Sequence, residues 1–509
     1  MKKLNRLLYS NKFFAMIMLM IQIGVFVGTY IWLSDYSKVL WGFSTILSAV
    51  LIIYEINRED EPTFKVTWIT LISIVPVFGA LFYLYTRTRG VTNNIRDDYE
   101  RVRKENEKYL PDDEEVIKSI ESRREKGFAA YLKKFGGSPA FKNTAVQYYP
   151  VGERMFEDMK KELLKAEKFI FMEFFIINYT STMWKEVLDI LKMKARQGVE
   201  VRVMYDGMGC IATLPQQYNE ILERQGIKCK IFSPIVPLIS THQNNRDHRK
   251  IIVIDGKCAF SGGINLADEY INQKMRFGHW KDTGFMMKGE AVAGFTSLFL
   301  DMWNINDEKC EDGGKYITLS RECGVNAEGY VIPFGDTPLD DIYVGKRAYI
   351  HNLENAAEYV YIMTPYLVID DDMYEAMKYA SQRGVDVKII MPHIPDKKFA
   401  FWLARTYYKK LLKAGIKIYE YTPGFIHAKM SISDGQRAIV GTINHDYRSL
   451  YLHYECAAYM VNVPAVMDVE SDFFDTLSLS QRITQEDLKK FNFFSMLIGH
   501  IMRLVAPLM

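Results

Sequence analysis

Paired cysteines are missing from this 509-residue chain. Its six cysteines (Cys210, Cys229, Cys258, Cys310, Cys323 and Cys456) lie far apart, with no C-x-x-C pair. That spacing excludes a disulfide framework and the usual zinc knuckles, and it suits a reducing compartment. An excess of charge of one sign is missing too. The 64 Lys and Arg against 62 Asp and Glu leave a net charge of +2, so no global field points to nucleic acid as a partner. Histidine is scarce, with nine in the whole chain, so two at matching places in a repeat stand out.

The first 88 residues are rich in apolar stretches. Residues 13–33 run for about twenty positions without a charge, the length a bilayer core requires. Residues 39–54 are a shorter uncharged segment. Residues 66–85 are uncharged and carry Pro76 and Gly79, both tolerated in membrane helices. No small-residue cleavage site follows the first segment, which argues against a signal peptide. Lys2, Lys3, Arg6 and Lys12 place the N-terminus inside, and Arg87 and Arg89 vote for the same side. Three spans cannot put both ends inside. The expectation is therefore two full spans, with the middle segment or the proline-containing third not spanning, and a cytosolic catalytic domain. Residues 89–140 are densely charged and read as a helical, solvated connector closed by Gly136-Gly137-Ser138-Pro139.

The rest of the chain is an internal repeat. Both copies run from the end of a helix into a buried strand, at Lys165 to Glu173 and at Asn355 to Thr364. Helix, glycine and alternating strand follow in each, through Gly198 and Gly384 and again through Gly226 and Gly415. Strands alternating with helices predict an α/β fold of two pseudo-twofold-related lobes. The expected divisions are a first lobe over 141–335, a second over 336–485, and an apolar or amphipathic C-terminal helix over 486–509 that opens with an N-cap pattern at Thr484 to Asp487.

Each copy ends in the same chemistry. His248, Lys250 and Asp255 form one H-x-K-x-x-x-x-D motif, and His427, Lys429 and Asp434 form the other. Gly262-Gly263-Ile264-Asn265 follows the first, and Gly441-Thr442-Ile443-Asn444 the second. Taken together the six motif residues are the candidate catalytic set. A doubled histidine suits two-step phosphoryl transfer: one imidazole attacks phosphorus while the other protonates the leaving group, on opposite sides as in-line displacement requires. Lys250, Lys429, Asn265 and Asn444 would hold phosphate oxygens. Histidine and lysine two apart share one face of a strand. Asp255-Gly256 and Asp434-Gly435 are hairpin signals. Within the motif the aspartates are thus read as structural, capping the turn and organising local backbone donors.

Asp282 and Glu455 follow the motifs at similar distances. A carboxylate on a catalytic imidazole fixes its tautomer, so both are candidate orienting groups. Facing lobes suggest crossed pairs, Glu455 to His248 and Asp282 to His427. The remaining histidines, His453 and His445 among them, lack the symmetry and read as surface or core. A metal site built from His242, Asp247 and His248 would leave the repeated lysines unexplained. Lysine supplies the charge a metal would bring, so neither metal nor cofactor is implied.

With these residues the chain resembles the phospholipase D superfamily, whose signature is the doubled motif, and within it the bacterial cardiolipin synthase family. The closer likeness lies in His248 to Lys257, Gly262 to Asn265 with Asp268-Glu269-Tyr270, Trp280 to Thr283, Thr364-Pro365-Tyr366, Phe425 to Lys429, and Asn444 to Leu450. The superfamily often has Gly-Ser after the motif. Here Gly263 lacks that hydroxyl, while Thr442 keeps one for a phosphate contact. The resemblance implies transfer of a phosphatidyl group between two phosphatidylglycerol molecules, giving cardiolipin and glycerol. It implies His248 as nucleophile and His427 as acid, then base. It also implies membrane lipids as partners, no nucleic acid, and residence in a bacterial cell membrane. Three rival readings use the same residues: hydrolysis by a membrane-tethered phospholipase D, transfer from a CDP-activated lipid, and a scaffold with a vestigial site.

Overall fold

The structure is a computed structural model that describes residues 20, 24, 37–86, 90–234, 244–305, 307 and 310–508. The chain divides into two compact units, one of residues 1–91, 235–244 and 501–509, the other of 92–234 and 245–500.

In the first unit, the helix Ser37–Ile56 is followed by Pro62–Ile74 and Pro76–Thr86. Pro76 has no N–H to continue the preceding helix, so the third apolar segment is broken into two short helices there. Leu51, Trp68, Ile72, Ala80 and Tyr83 pack together, and Tyr83 donates a 2.6 Å hydrogen bond to the buried Glu55. Among the described residues no helix is long and apolar enough to cross a membrane. The two full spans expected from the sequence are therefore not among the described helices. The segment 13–33, the best candidate by length, falls almost wholly outside the described residues.

The second unit holds both lobes. The first lobe contains β1 (Thr144–Tyr149), β2 (Phe169–Phe174), β3 (Glu200–Asp206), β4 (Lys228–Phe232), β5 (Arg246–Asp247), β6 (Lys250–Ile254), β7 (Cys258–Gly262), β8 (His279–Lys281) and β9 (Gly284–Gly289). The second contains β10 (Tyr330–Asp336), β11 (Tyr359–Met363), β12 (Asp386–Pro392), β13 (Lys417–Tyr421), β14 (Gly424–Ile426), β15 (Met430–Ser433), β16 (Arg437–Gly441), β17 (His453–Val461) and β18 (Ser480–Arg482). One sheet runs β1-β9-β7-β6-β2-β3-β4. The other runs β10-β17-β16-β15-β11-β12-β13, the same order, with β18 added at the edge. The repeat thus extends further back than its sequence signal. β1 and β10 each precede the stretches that look alike, and β10 belongs to the second sheet ahead of the division expected at 336.

Sequence explains the local choices. β2 is buried at all six positions, as a central strand covered on both faces should be. Gly198 and Gly384 take φ of +89° and +93° and end equivalent helices in the left-handed conformation. Asp255 and Gly256, like Asp434 and Gly435, all have positive φ, the geometry of a tight hairpin turn. The connector is helical over Gly90–Glu107, Glu114–Ser119 and Arg123–Gly136, but it is not wholly solvated. Tyr99, Val102, Phe128 and Leu132 are buried. Glu125, held down to about 2 in spite of its burial, accepts hydrogen bonds from Arg437 (2.7 Å) and Tyr459 (2.8 Å), with His351 also beside it.

The lobes are joined by two short parallel pairings that cross between them. β5 pairs with β17, Asp247 opposite Tyr454, and β8 pairs with β14, Ile426 opposite Lys281. Glu455 within β17, and Asp282 directly after β8, are therefore brought beside the segment carrying the other lobe's histidine.

Candidate active site

The backbone sets the histidines first. His248 N–H donates to the Tyr454 carbonyl at 2.9 Å, and His427 N–H to the Lys281 carbonyl at 2.7 Å. Tyr454 and Lys281 are the residues just before Glu455 and Asp282. The crossed pairing of side chains follows directly. His248 Nδ1 lies 2.9 and 3.0 Å from the two Glu455 oxygens, and His427 Nδ1 lies 2.6 Å from Asp282 Oδ2. Both acids are fully buried, and both imidazoles are 7% exposed. A carboxylate at Nδ1 takes the proton there and leaves the Nε2 lone pair free.

Lys250 and Lys429 are also buried, and each donates to the carbonyl of the histidine two residues before it. Lys429 Nζ is 2.9 Å from His427 Nδ1 as well, but that nitrogen's proton serves the closer Asp282, so the carbonyl is the real acceptor. Burial pushes the Lys250 ammonium down to about 8 and that of Lys429 to about 7. Burial, reinforced by the two lysine charges, holds His248 well below its ordinary value and His427 at about 4. The imidazoles are thus neutral in the resting site, flanked by two buried lysines that make no direct ion pair among the described residues. Such a site gains stability when a phosphodiester enters.

The flanking shells differ. Near His248 are Phe175 and His453, with ring centroids 5.0 and 5.4 Å away. Near His427 are Tyr270, Trp280 and Phe425, at 5.4, 5.5 and 5.9 Å. Two residues before its acid, each lobe places an aromatic ring against the other lobe's histidine: Trp280 before Asp282, His453 before Glu455. Read alone, His453 is one more histidine without a partner motif; aligning the repeat on the two acids is the signal that finds it. His248, His453 and Glu455 offer ligand atoms within 4.8 Å of one another. The ring nitrogens nearest Glu455 carry protons rather than lone pairs, however. Arg448 Nε donates to His453 Nε2 at 3.1 Å, which puts that ring's proton on Nδ1, and His248 Nδ1 gives its proton to Glu455. Both rings thus turn a protonated Nδ1 toward Glu455, His248 at 2.9 Å and His453 at 3.6 Å, an arrangement that suits a carboxylate better than a metal ion.

The other candidate residues have distinct settings. Asp255 and Asp434 sit at the far end of the hairpin and touch no reacting group. Asp255 accepts from the N–H groups of Glu167, Lys168 and Phe169 at 2.7–2.8 Å, and Asp434 from Ala357, Glu358 and Tyr359 at 2.8–3.0 Å. They anchor the entry to β2 and β11, so the donors are not those of their own turns. The Thr442 hydroxyl donates to Glu455 and accepts from Cys456 N–H at 3.0 Å. The asparagines are unequal. Asn265 spends its oxygen on Ile176 N–H (3.0 Å) and one amide proton on Tyr270 (2.8 Å), whereas the Asn444 side chain has no hydrogen-bond partner among the described residues.

Two family profiles match the chain. Residues 159–303 and 349–477 match the family described as cardiolipin synthase, PLD-like domain, and residues 45–87 match the phospholipase D–nuclease N-terminal family. An uncharacterized protein of Streptococcus mutans is 49% identical over 460 residues, covering 90% of this chain and 99% of the relative. The cardiolipin synthase of Alkalihalophilus pseudofirmus is 32% identical over 485 residues, 94% of this chain and 95% of that one. That of Geobacillus kaustophilus is 33% identical over 482 residues, 93% of each. Among solved structures, the phosphatidylserine synthase of Haemophilus influenzae aligns with a TM-score of 0.54 at 11% identity, over 76% of this chain and 98% of that one, a likeness of fold. With its paired motifs facing across two equivalent lobes, this chain belongs to the phospholipase-D-like cardiolipin synthase family.

Proposed function

We propose that the protein is a cardiolipin synthase that moves a phosphatidyl group between two phosphatidylglycerol molecules through a phosphohistidine. The observation that carries this reading is the crossed support of the two motif histidines, each held at Nδ1 by the other lobe's acid. His248 Nε2 attacks the phosphorus of the first lipid; the P–O bond to glycerol breaks and a P–N bond forms. His427, protonated when the phosphate's charge offsets that of the lysines, gives its proton to the departing glycerol oxygen. The hydroxyl of a second phosphatidylglycerol then loses its proton to His427 and attacks phosphorus, and the P–N bond breaks. Lys250 and Lys429, with Asn444 and the remaining amide proton of Asn265, supply the donors to the phosphate oxygens. Glu455 and Asp282 position the imidazoles, and Thr442 holds Glu455.

Acceptor choice needs a setting where lipid hydroxyls outnumber water, and a bilayer surface provides it. The helix Ser37–Ile56 exposes Phe43, Ile46, Val50 and Ile53. The helix Phe493–Arg503 seats Gly499 against Trp402 and exposes Phe493, Phe494, Leu497 and Ile501. Apolar faces of this kind suit attachment to a bacterial cell membrane. The deciding experiment incubates the reconstituted full chain with phosphatidylglycerol alone. Cardiolipin and glycerol are the expected products. Phosphatidic acid with glycerol would make it a hydrolase, and a requirement for a CDP-activated lipid with release of CMP would make it a different transferase.

A further inference from the structure

The two half-sites share a backbone plan but solve one packing problem differently. Gly263 N–H donates to the Thr283 carbonyl and Thr442 N–H to the Cys456 carbonyl, both at 2.9 Å. Thr283 and Cys456 are the residues just after the acids, so 263 and 442 stand in the same register to the segment bearing the carboxylate. In the second lobe that segment carries a glutamate. Its longer side chain reaches His248 while the Thr442 hydroxyl donates to it from behind. In the first lobe the equivalent position, between β8 and β9, carries an aspartate, one methylene shorter. A Cβ added at Gly263 would lie 2.0 Å from Asp282 Oδ1 and 2.9 Å from its carboxyl carbon. The carboxylate that holds His427 occupies the very space a side chain at 263 would fill.

We infer that Gly263 is a positioning residue of the His427 half-site, and that the residue after the motif glycine and the length of the acid are a matched pair: threonine with Glu455, nothing with Asp282. Asp282 has no slack with which to yield. It is fully buried, Oδ1 accepts from Thr283 N–H at 2.9 Å, and Oδ2 is 2.6 Å from His427. Any side chain at 263 must therefore push the carboxylate off one of these partners. The inference rests on the two-histidine reading of the site, but not on which acceptor takes the phosphatidyl group.

The test measures glycerol release from phosphatidylglycerol by the reconstituted full chain, a readout shared by transfer and hydrolysis. Gly263→Ser should lower kcat by on the order of 10²–10⁴-fold, the range for losing a preorganised donor or the carboxylate behind an imidazole, with KM changed little. Asp282→Glu alone should fail similarly, since the longer acid has no seat. Combining Gly263→Ser with Asp282→Glu copies the second lobe's solution and should recover kcat to within about tenfold of the natural chain, a non-additivity expected only of residues in direct contact. Gly263→Ala, the smallest intrusion, should lose kcat while its thermal midpoint stays close to that of the natural chain. Natural activity in Gly263→Ser would overturn the inference, as would a double variant no faster than the slower single one. A natural chain that releases glycerol without forming cardiolipin would sink the transfer reading and leave this one standing.

Discussion

Replacing Asp255 separates an anchoring role from a chemical one. Its carboxylate accepts three consecutive N–H groups at the entry to β2. Phe169 is buried, so its N–H would be left without a partner, at about 1–3 kcal/mol. Glu167 and Lys168 are exposed, so water recovers part of the loss there, leaving about 0.5 kcal/mol each. Alanine at a φ of +53° adds about 1–2 kcal/mol of backbone strain. Asp255→Ala should therefore cost about 4 kcal/mol. An unfolding entropy of roughly 2.1 cal/mol/K per residue, applied to a unit of this size, turns that into a thermal midpoint lower by about 5 °C. Asp255→Asn keeps the Oδ1 acceptor and tolerates positive φ, so it should lose only about 1 kcal/mol. The assay is a pair of measurements on the reconstituted protein: the midpoint by calorimetry, and kcat for glycerol release below the transition. The expected result is a lowered midpoint in both variants with kcat per folded molecule within about twofold. A normal midpoint with kcat down by about 10²-fold or more would refute the anchoring role and return Asp255 to the chemistry.

Three further outcomes are expected. Acid-sensitive label from phosphatidylglycerol carrying ³²P should be trapped on His248 and lost in His248→Ala; label on His427 instead would reverse the order of attack. For the free enzyme, kcat/KM should fall as pH rises through about 7–8, where the buried Lys429 and Lys250 lose the charge that attracts phosphate, and should hold on the acid side until His427 protonates near 4; a profile flat to about pH 9.5 would exclude the lysines as the anion site. Removing residues 488–509 from a chain already lacking the N-terminal apolar segments should weaken binding to anionic liposomes; equal binding with and without them would leave the C-terminal helix a packing role only.

Much was legible in the residues themselves. The doubled motif, the asparagines three residues after the glycine that ends each return strand, and the glycine-ended helices report a repeat because one fold written twice needs the same short-range chemistry twice. Asp255-Gly256 and Asp434-Gly435 specify their turns locally, through backbone angles few other residues accept. Pro76 ends a helix by lacking an N–H, whatever surrounds it.

What only the tertiary structure decided are contacts between residues apart in sequence, from 13 positions for Thr442 and Glu455 to 207 for His248 and Glu455. Whether Glu455 serves His248 or His427 depends on which strands cross between the lobes, and the pairing of β5 with β17 and β8 with β14 settles it. Asp255 looks like part of a catalytic signature until its oxygens are found on the amides of 167–169, reached because β6 runs antiparallel beside β2. That the Thr442 hydroxyl bonds to Glu455 is likewise visible only in the folded chain. Gly263 carries no chemistry to read at all. Its role is the absence of an atom, and only the packed site shows that Asp282 needs the space, because in a close-packed interior a carboxylate and a methyl group cannot share one volume.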